Sequence, residues 1–481
     1  MENHEMKKNI SRRTVLARAG AAAVGAAWAR TLVGQSTRPV GSSLGAGERV
    51  GVGLIGCGQR GWQLLDLLLR QEDVDIPAVC DVDSERVGLA AQRVEKAGRR
   101  RPDAVADFRK MLDRSDVHAV VIATPDHWHA VQHVYACTAG KDVYVESPVG
   151  HNVLEGAAMA RITRKHFRVV QVGMQHRSAA WFRDAVQQVR AGTLGKIAQT
   201  RSWNFAKLKP VPPSDDAQPP ASLDYDKWLG PAPVRPYNPG RTHGLFYNWW
   251  EYGGGMLTRW NVHYQDLIHW AMRVNGPVSV TAVGGNQGLG DFRETPDTME
   301  VIFEYDTQLL PRPGRFTHVY SLRLGNGHAV WGPPVPAHND MFDAISSMHS
   351  GALFHGEEAT LLVDRRGSAV LPAALRQDKP IDTAPVENAN PPFDALTLAH
   401  LQDFVSCVRT RAEPKASIEV GQYAAAACHL ANIAYRTGRR IYSKPGELAC
   451  FADSTYETVD TQATEMLRRT AYREPYGPPR T

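Results

Sequence analysis

Between residues 50 and 172, short apolar runs alternate with stretches whose apolar positions recur at helical spacing. Val50, Val52, Leu54 and Ile55 form a run that reads as a buried strand, followed by Trp62, Leu64, Leu65 and Leu68 on one helical face. Ile76 to Asp81 reads as a second strand, and Ser84 opens a helix carrying Val87, Leu89, Ala90 and Val94. Val117 to Ala123 is a third strand, with a helix through Cys137 to Gly140 after it; Asp142 to Val145 and Val169 to Val172 are further strands. Strands that alternate with helices in this way predict a parallel sheet.

After Gly173 the rhythm changes. Val278 to Val283, Met299 to Glu304, Thr317 to Leu324 and Thr360 to Val363 read as half-buried strands without a helix between each pair. This predicts an open, mostly antiparallel sheet. Leu396 to Tyr435 is long and helical, and Lys207 to His243 and Leu309 to His338 are loops long enough to be binding segments or disorder. The expected fold class is α/β: an N-terminal Rossmann parallel sheet with a C-terminal α+β domain. The expected divisions are a signal peptide at 1–35, a Gly- and Ser-rich linker at 36–47, a dinucleotide-binding domain at 48–172, a substrate and oligomerisation domain at 173–445 and a tail at 446–481.

Chemistry enters at the first strand end, Gly56-Cys57-Gly58-Gln59-Arg60-Gly61. Between a strand and a helix, Gly56 permits the tight turn, Gly58 lets backbone approach a pyrophosphate and Gly61 lets helix pack on strand. The helix N-terminus then presents free N–H groups to the phosphates. Asp81 ends the second strand about twenty residues on, where a carboxylate accepts from ribose hydroxyls and repels a 2′-phosphate. The expected cofactor is NAD, held by Gly56, Gly58, Gln59, Arg60, Gly61 and Asp81.

Charge and composition narrow the partners. The 481 residues are 43% hydrophobic and 22% charged, ordinary for a globular protein of two or three domains. Most of the formal charge of +5 comes from residues 1–35, which contribute +4, and no long basic run remains to favour nucleic acid. Ser11-Arg12-Arg13-Thr14-Val15-Leu16, the apolar stretch Ala19 to Ala29 and the small residues Ala27-Trp28-Ala29 form a twin-arginine pattern. The apolar stretch is too short to span a bilayer. Expected are recognition by the twin-arginine export machinery, a periplasmic or otherwise exported location, and no stable membrane insertion after processing. This route carries folded proteins, so the cofactor would travel with the chain. The six cysteines show no metal spacing and read as small core residues. His127 and His129 lack a third ligand at helpful spacing, so no metal is expected.

GCGQRG at 56–61, CDVD at 80–83, ATPDHWHA at 123–130, GKDVYVESP at 140–148, GGGMLTRWNVHYQDLIHW at 253–270 and LAHLQDFVSCVRTRAEP at 398–414 together resemble the Gfo/Idh/MocA family of glucose–fructose oxidoreductases and inositol dehydrogenases. The resemblance runs from Val50 to the C-terminal tail. It implies oxidation or reduction of a ring hydroxyl of a sugar, sugar acid or cyclitol, a tightly held nicotinamide cofactor, and a homo-oligomer. It also implies that Thr124, Pro125 and His129 line the cofactor groove and that Glu146 lies near the nicotinamide ribose.

Two catalytic positions depart from the family pattern. Ser147 stands where a lysine is usual, and Arg259 where an Asp is usual; His263 keeps the His position. A hydroxyl proton needs a base with a pKa near ambient pH, which histidine offers and arginine and serine do not. His263 is therefore the expected acid–base, Arg259 an anion-orienting group and Ser147 a member of the set. Gln175, Arg177, Trp249, Trp250 and Tyr264 are the expected substrate contacts. A second reading is an NAD-assisted glycoside hydrolase or lyase working by transient oxidation and elimination, and a third is a non-catalytic, cofactor-stabilised carbohydrate-binding protein.

Overall fold

The computed structural model describes residues 45, 47–326, 350–365, 367–371, 391–469 and 471–476. The expected signal peptide and nearly all of the linker lie outside these residues. Among the described residues, no helix is long and apolar enough to cross a membrane.

β1 (Val50–Ile55) is buried at all six positions and forms the axis of the first sheet. Beside it lie β2 (Val74–Asp75), β3 (Ala78–Cys80) and β4 (Asp103–Val105) on one side, and β5 (Ala119–Ile122), β6 (Asp142–Val145) and β7 (Val170–Val172) on the other. The order is β4-β3-β1-β5-β6-β7, with every pairing parallel. The strand expected over Ile76 to Asp81 is split: β2 and β3 both pair with β1, and the break falls at Ile76-Pro77, where proline offers no N–H to the ladder. Helix Gln59–Leu69 buries Leu64, Leu65, Leu67 and Leu68, and helix Ser84–Lys96 starts at Asp83, whose carboxylate accepts from the Glu85 and Arg86 amides. Strand order reverses between β1 and β5, which opens a crevice at the carboxyl ends of the strands.

The second sheet holds β8 (Ile197–Phe205), β9 (Ser279–Gly285), β10 (Thr298–Thr307), β11 (Gly314–Arg323), β12 (Ser350–Gly356), β13 (Thr360–Val363), β14 (Ser368–Leu371), β15 (Ile441–Ser443) and β16 (Cys450–Phe451), in the order β14-β13-β12-β8-β11-β10-β9-β15-β16. Among the described strands only β8 and β11 pair in parallel, so the sheet is mixed and mostly antiparallel. β10 alternates buried and outward positions, the signature of a sheet covered on one face. β8 was not legible as a strand because its central positions, Gln199 to Ser202, are polar. β11 also occupies part of the loop expected over Leu309 to His338, and the segment from 327 onward lies outside the described residues.

The long helical stretch is two helices, Pro391–Thr410 and Ile418–Thr437. The first returns to the N-terminal domain: Leu401, Phe404, Val405 and Val408 share a core with Val50, Leu54, Leu64, Leu68 and Tyr144. The division at 173 is therefore not a division in space, since a segment from the far end completes the Rossmann core. The stretch 446–481 is also more than a tail. It supplies β16 and helix Thr461–Glu465, and its Tyr476 reaches the crevice between the domains.

Candidate active site

A cleft of about 490 Å³ runs along the carboxyl ends of β1, β3, β5 and β6 and is closed on its far side by residues of the second domain. The first glycine turn forms one end. Gly56 sits at φ 95°, and a Cβ there would fall 2.7 Å from the Ala123 carbonyl. A Cβ on Gly61 would lie 1.9 Å from the Gly56 oxygen, so helix and turn touch only because that carbon is absent. A Cβ on Gly58 would meet nothing closer than the Arg86 guanidinium at 3.7 Å. Its absence opens the cleft. No side chain caps helix Gln59–Leu69, and no acid lies in its first turn. Bare donors, a positive dipole end and open space together fit a pyrophosphate.

Asp81 lines the same end. Its oxygens accept from the Cys57 amide at 2.7 Å and the Asp83 amide at 2.9 Å. Burial raises its pKa, and these two N–H groups oppose the rise. The carboxylate thus fixes the turn as well as facing the cleft. Gln59, Thr124 and Pro125 also line it, with the Thr124 hydroxyl donating to Gln132 at 2.8 Å. His129 borders the groove, but its Nδ1 lies 2.9 Å from the Pro148 carbonyl and its Nε2 2.9 Å from that of Thr124. Both ring nitrogens face backbone carbonyls, to one of which the neutral ring can donate, so His129 packs between two loops rather than presenting a nitrogen to a ligand. His127 is likewise turned to the Trp228 carbonyl.

Midway along the cleft, Arg60 pairs with Glu146 at 2.9 Å. With its amide oriented to satisfy every partner, Gln175 accepts from Arg60 Nη2 at 2.7 Å and donates to the Gly173 carbonyl at 3.0 Å. These residues form one linked floor beneath the position where the two domains meet.

At that junction Ser147, from the end of β6, lies with its Oγ 3.4 Å from His263 Nε2. His263 is the second residue of helix Val262–Met272, which follows a π-helical turn, Leu257–Asn261. Such turns recur where a helix must aim side chains at a site. The expectation of a histidine near its ordinary pKa is not met. Burial depresses the His263 pKa well below 6.5, and the Arg365, Arg60 and His400 side chains add to the effect. The imidazole is neutral at neutral pH. Arg365, just beyond β13, lies over the Trp260 ring at 4.7 Å and donates to His176 Nε2 at 3.3 Å.

Arg259 lies over the Tyr247 ring at 4.4 Å and lines the cleft. Among the described residues no carboxylate stands within ion-pair distance of it. Close by, Asp126 opens helix Asp126–Thr138, buried, its Oδ2 without a hydrogen-bond partner. Burial raises its pKa to about 8 against the opposing pull of Arg259.

Four expected substrate contacts lie elsewhere. Arg177 is held by Asp266 through two bonds of 2.8 Å and lies over Trp270, buried between helices. Tyr264 is fully buried and meets Ser350 at 3.2 Å. Trp249 donates to the Gly240 carbonyl at 3.1 Å, and Trp250 packs on Tyr435 with Arg436 over its face. None of the four lines the cleft. Its aromatic walls are Phe108, Trp128, Trp228, Phe246, Trp260 and Tyr476 instead. Asp126 and Arg365 were also missed. Asp126 lay within the ATPDHWHA motif, whereas no sequence signal marked Arg365.

Comparison with known proteins agrees with this geometry. Residues 50–174 match the model of the oxidoreductase family NAD-binding Rossmann fold, and residues 199–298 that of the C-terminal α/β domain of the same family. A glycosyl hydrolase family 109 protein of Saccharopolyspora erythraea is 38% identical over 170 residues, 32% of this chain and 37% of that protein. An α-N-acetylgalactosaminidase of Shewanella oneidensis is 30% identical over 162 residues, 31% of this chain and 35% of that one. The chain thus spans little more than a third of the length of these curated relatives. Among solved structures, the WlbA dehydrogenase of Bordetella pertussis in complex with NADH and UDP-GlcNAcA is similar at a TM-score of 0.55 and 18% identity, covering 82% of this chain and 99% of that one. Scyllo-inositol dehydrogenase of Lactobacillus casei with bound NAD(H) and scyllo-inositol reaches 0.54 at 17% identity, covering 82% and 99%. At such identities the likeness establishes the fold. Residues 50–174 are thus an NAD-binding Rossmann fold of the Gfo/Idh/MocA oxidoreductase type, and residues 199–298 match the C-terminal domain of that family.

Proposed function

We propose that this protein is an NAD-dependent enzyme acting on a ring hydroxyl of a carbohydrate or cyclitol, with His263 and Ser147 handling the hydroxyl proton. The observation that carries the reading is the approach of Ser147 Oγ to His263 Nε2 where the two domains meet over the cleft. Gly56, Gly58, Gly61 and the N-terminus of helix Gln59–Leu69 would hold the pyrophosphate, Asp81 the adenosine ribose, and Glu146 the nicotinamide end. Bound NAD supplies a hydride acceptor. His263, neutral at ambient pH, accepts the substrate hydroxyl proton directly or through Ser147. Burial, with Arg365 and Arg60 adding to it, disfavours the imidazolium, so the free imidazole is a weak base until a ligand changes its surroundings. Trp260 and Phe246 offer flat faces to the C–H faces of a sugar ring.

The glycosidase names of the curated relatives favour a second reading of the same site: transient oxidation of a ring hydroxyl that allows a glycosidic bond to be cleaved, with the hydride returned. One experiment separates the two. NAD-loaded protein is offered a panel of sugars, sugar acids, cyclitols and their nitrophenyl glycosides, with reduced nicotinamide and released nitrophenol followed together. Stoichiometric reduced cofactor supports net oxidation; release of nitrophenol without it supports the redox-neutral reading. Retained NAD with neither signal across the panel would favour a binding protein and overturn both.

Export through the twin-arginine route is proposed from Ser11 to Leu16, and self-association from the family. N-terminal sequencing of the periplasmic protein tests the first, and light scattering the second.

A further inference from the structure

Arg259 and Asp126 stand at the His263 end of the cleft, and among the described residues no carboxylate pairs with Arg259 and no group hydrogen-bonds to Asp126 Oδ2. Arg259 is four residues before His263, on the π-helical turn. Its position over Tyr247 at 4.4 Å, with Phe246 at 5.9 Å, constrains the guanidinium by its face and leaves its N–H fork for a planar anion. Asp126 is 5% exposed, and among the described residues its Oδ2 has no hydrogen-bond partner. An acid in a first helical turn ordinarily caps backbone amides, but here Pro125 is the cap residue and no side-chain capping bond forms. A buried carboxyl left unpaired is costly unless something completes it. A protonated carboxyl and a guanidinium are both hydrogen-bond donors, and together they complement a carboxylate.

We propose that Arg259 and Asp126 form a carboxylate-binding subsite, so that the substrate is a uronic acid or a glycoside of one. The inference rests on the carbohydrate reading above and narrows its substrate class. Burial holds Asp126 protonated up to about pH 8, so at neutral pH it donates its proton to the bound anion instead of repelling it. The charged and titratable groups facing Asp126 are Arg259 across the cleft and Glu155 from the neighbouring helix, with His127 and His129 following it on its own helix. An anion bound here also offsets the cations crowding His263 and raises the basicity of that imidazole, which the unliganded cleft suppresses. The subsite therefore couples recognition to the acid–base step.

The test is calorimetric titration of the NAD-loaded protein with methyl uronides of gluco, galacto and manno configuration, each paired with its neutral methyl hexoside. At pH 7 at least one uronide binds about tenfold or more tightly than its neutral partner, and Arg259→Gln abolishes that difference. Raising the pH from 7 to 9 erases the preference in the wild type but not in Asp126→Asn, whose amide remains a donor. Thermal melts and NAD content of both variants establish that they fold and hold the cofactor. Equal affinity for uronides and neutral hexosides, or an Arg259→Gln variant that weakens both alike, overturns the subsite while the carbohydrate reading stands. If no sugar of either kind binds, the carbohydrate reading itself fails.

Discussion

The Ser147 hydroxyl lies 3.4 Å from the His263 imidazole, one residue at the end of a Rossmann strand and the other at the start of a helix in the second domain. Neither side chain can make this contact alone, so the site exists only when the domains are docked. His263→Gln is expected to lower turnover by about a hundredfold or more, whereas Ser147→Ala should lower it by less, because the imidazole remains. Both variants should purify with wild-type NAD content. Steady-state kinetics beside acid-released cofactor check this, and loss of NAD in either variant would count against a role at the substrate end.

The glycines of the turn separate folding from cofactor binding. A methyl on Gly61 strikes the Gly56 oxygen at 1.9 Å, so Gly61→Ala should reduce soluble yield or melting temperature. A methyl on Gly58 has 3.7 Å of room. Gly58→Ala should fold with a melting temperature close to that of the apo wild type and yet lose NAD. Differential scanning fluorimetry with and without added cofactor distinguishes the two cases.

Asp126 predicts a specific pH dependence. Its folded pKa, about 8, lies above the ordinary aspartate value near 3.8, so the native state keeps a proton that the unfolded chain releases. Stability from this group is therefore present below the unfolded pKa and is lost as pH rises from about 4 to about 8. Asp126→Asn removes that loss. Its melting temperature should match the wild type near pH 4 and exceed it by at least about 2 °C at pH 8.

Arg177 and Asp266 make a buried, two-bonded ion pair. Truncating one partner strands the other charge, so Arg177→Met should cost about 3–5 kcal/mol in urea unfolding. The KM of the folded fraction should not change. A raised KM with unchanged stability would return Arg177 to the substrate contacts expected from the sequence.

Phe404, on the returning helix, packs edge-on against Tyr144 of β6 with ring centroids 5.8 Å apart. Phe404→Ala should cost about 3–5 kcal/mol and expose the NAD-binding domain to early proteolysis. Limited digestion followed by mass spectrometry would locate the first cuts.

Local chemistry alone determined much of this protein. The glycine turn, Asp81 and the apolar runs of β1, β5, β6 and β7 were legible because each depends on contiguous residues: a strand needs its own apolar positions, and a phosphate turn needs glycines at fixed offsets. His263, Ser147 and Arg259 were found through the family pattern, and the structure brings all three to one cleft. The sequence could not place what depends on distant packing. Trp249, Trp250, Tyr264 and Arg177 have the right chemistry for sugar contacts, but the tertiary structure spends them on Gly240, Tyr435, Ser350 and Asp266. Arg365 reaches the cleft from an unremarkable turn, and Asp126 acquires its proton only because burial removes the water that would ionise it. Helix Pro391–Thr410 looked like part of the second domain because covalent order put it there; apolar burial returned it to the first. Periodicity records which face of an element is apolar, while only the folded chain decides which partner covers that face and which polar atoms are left facing a ligand.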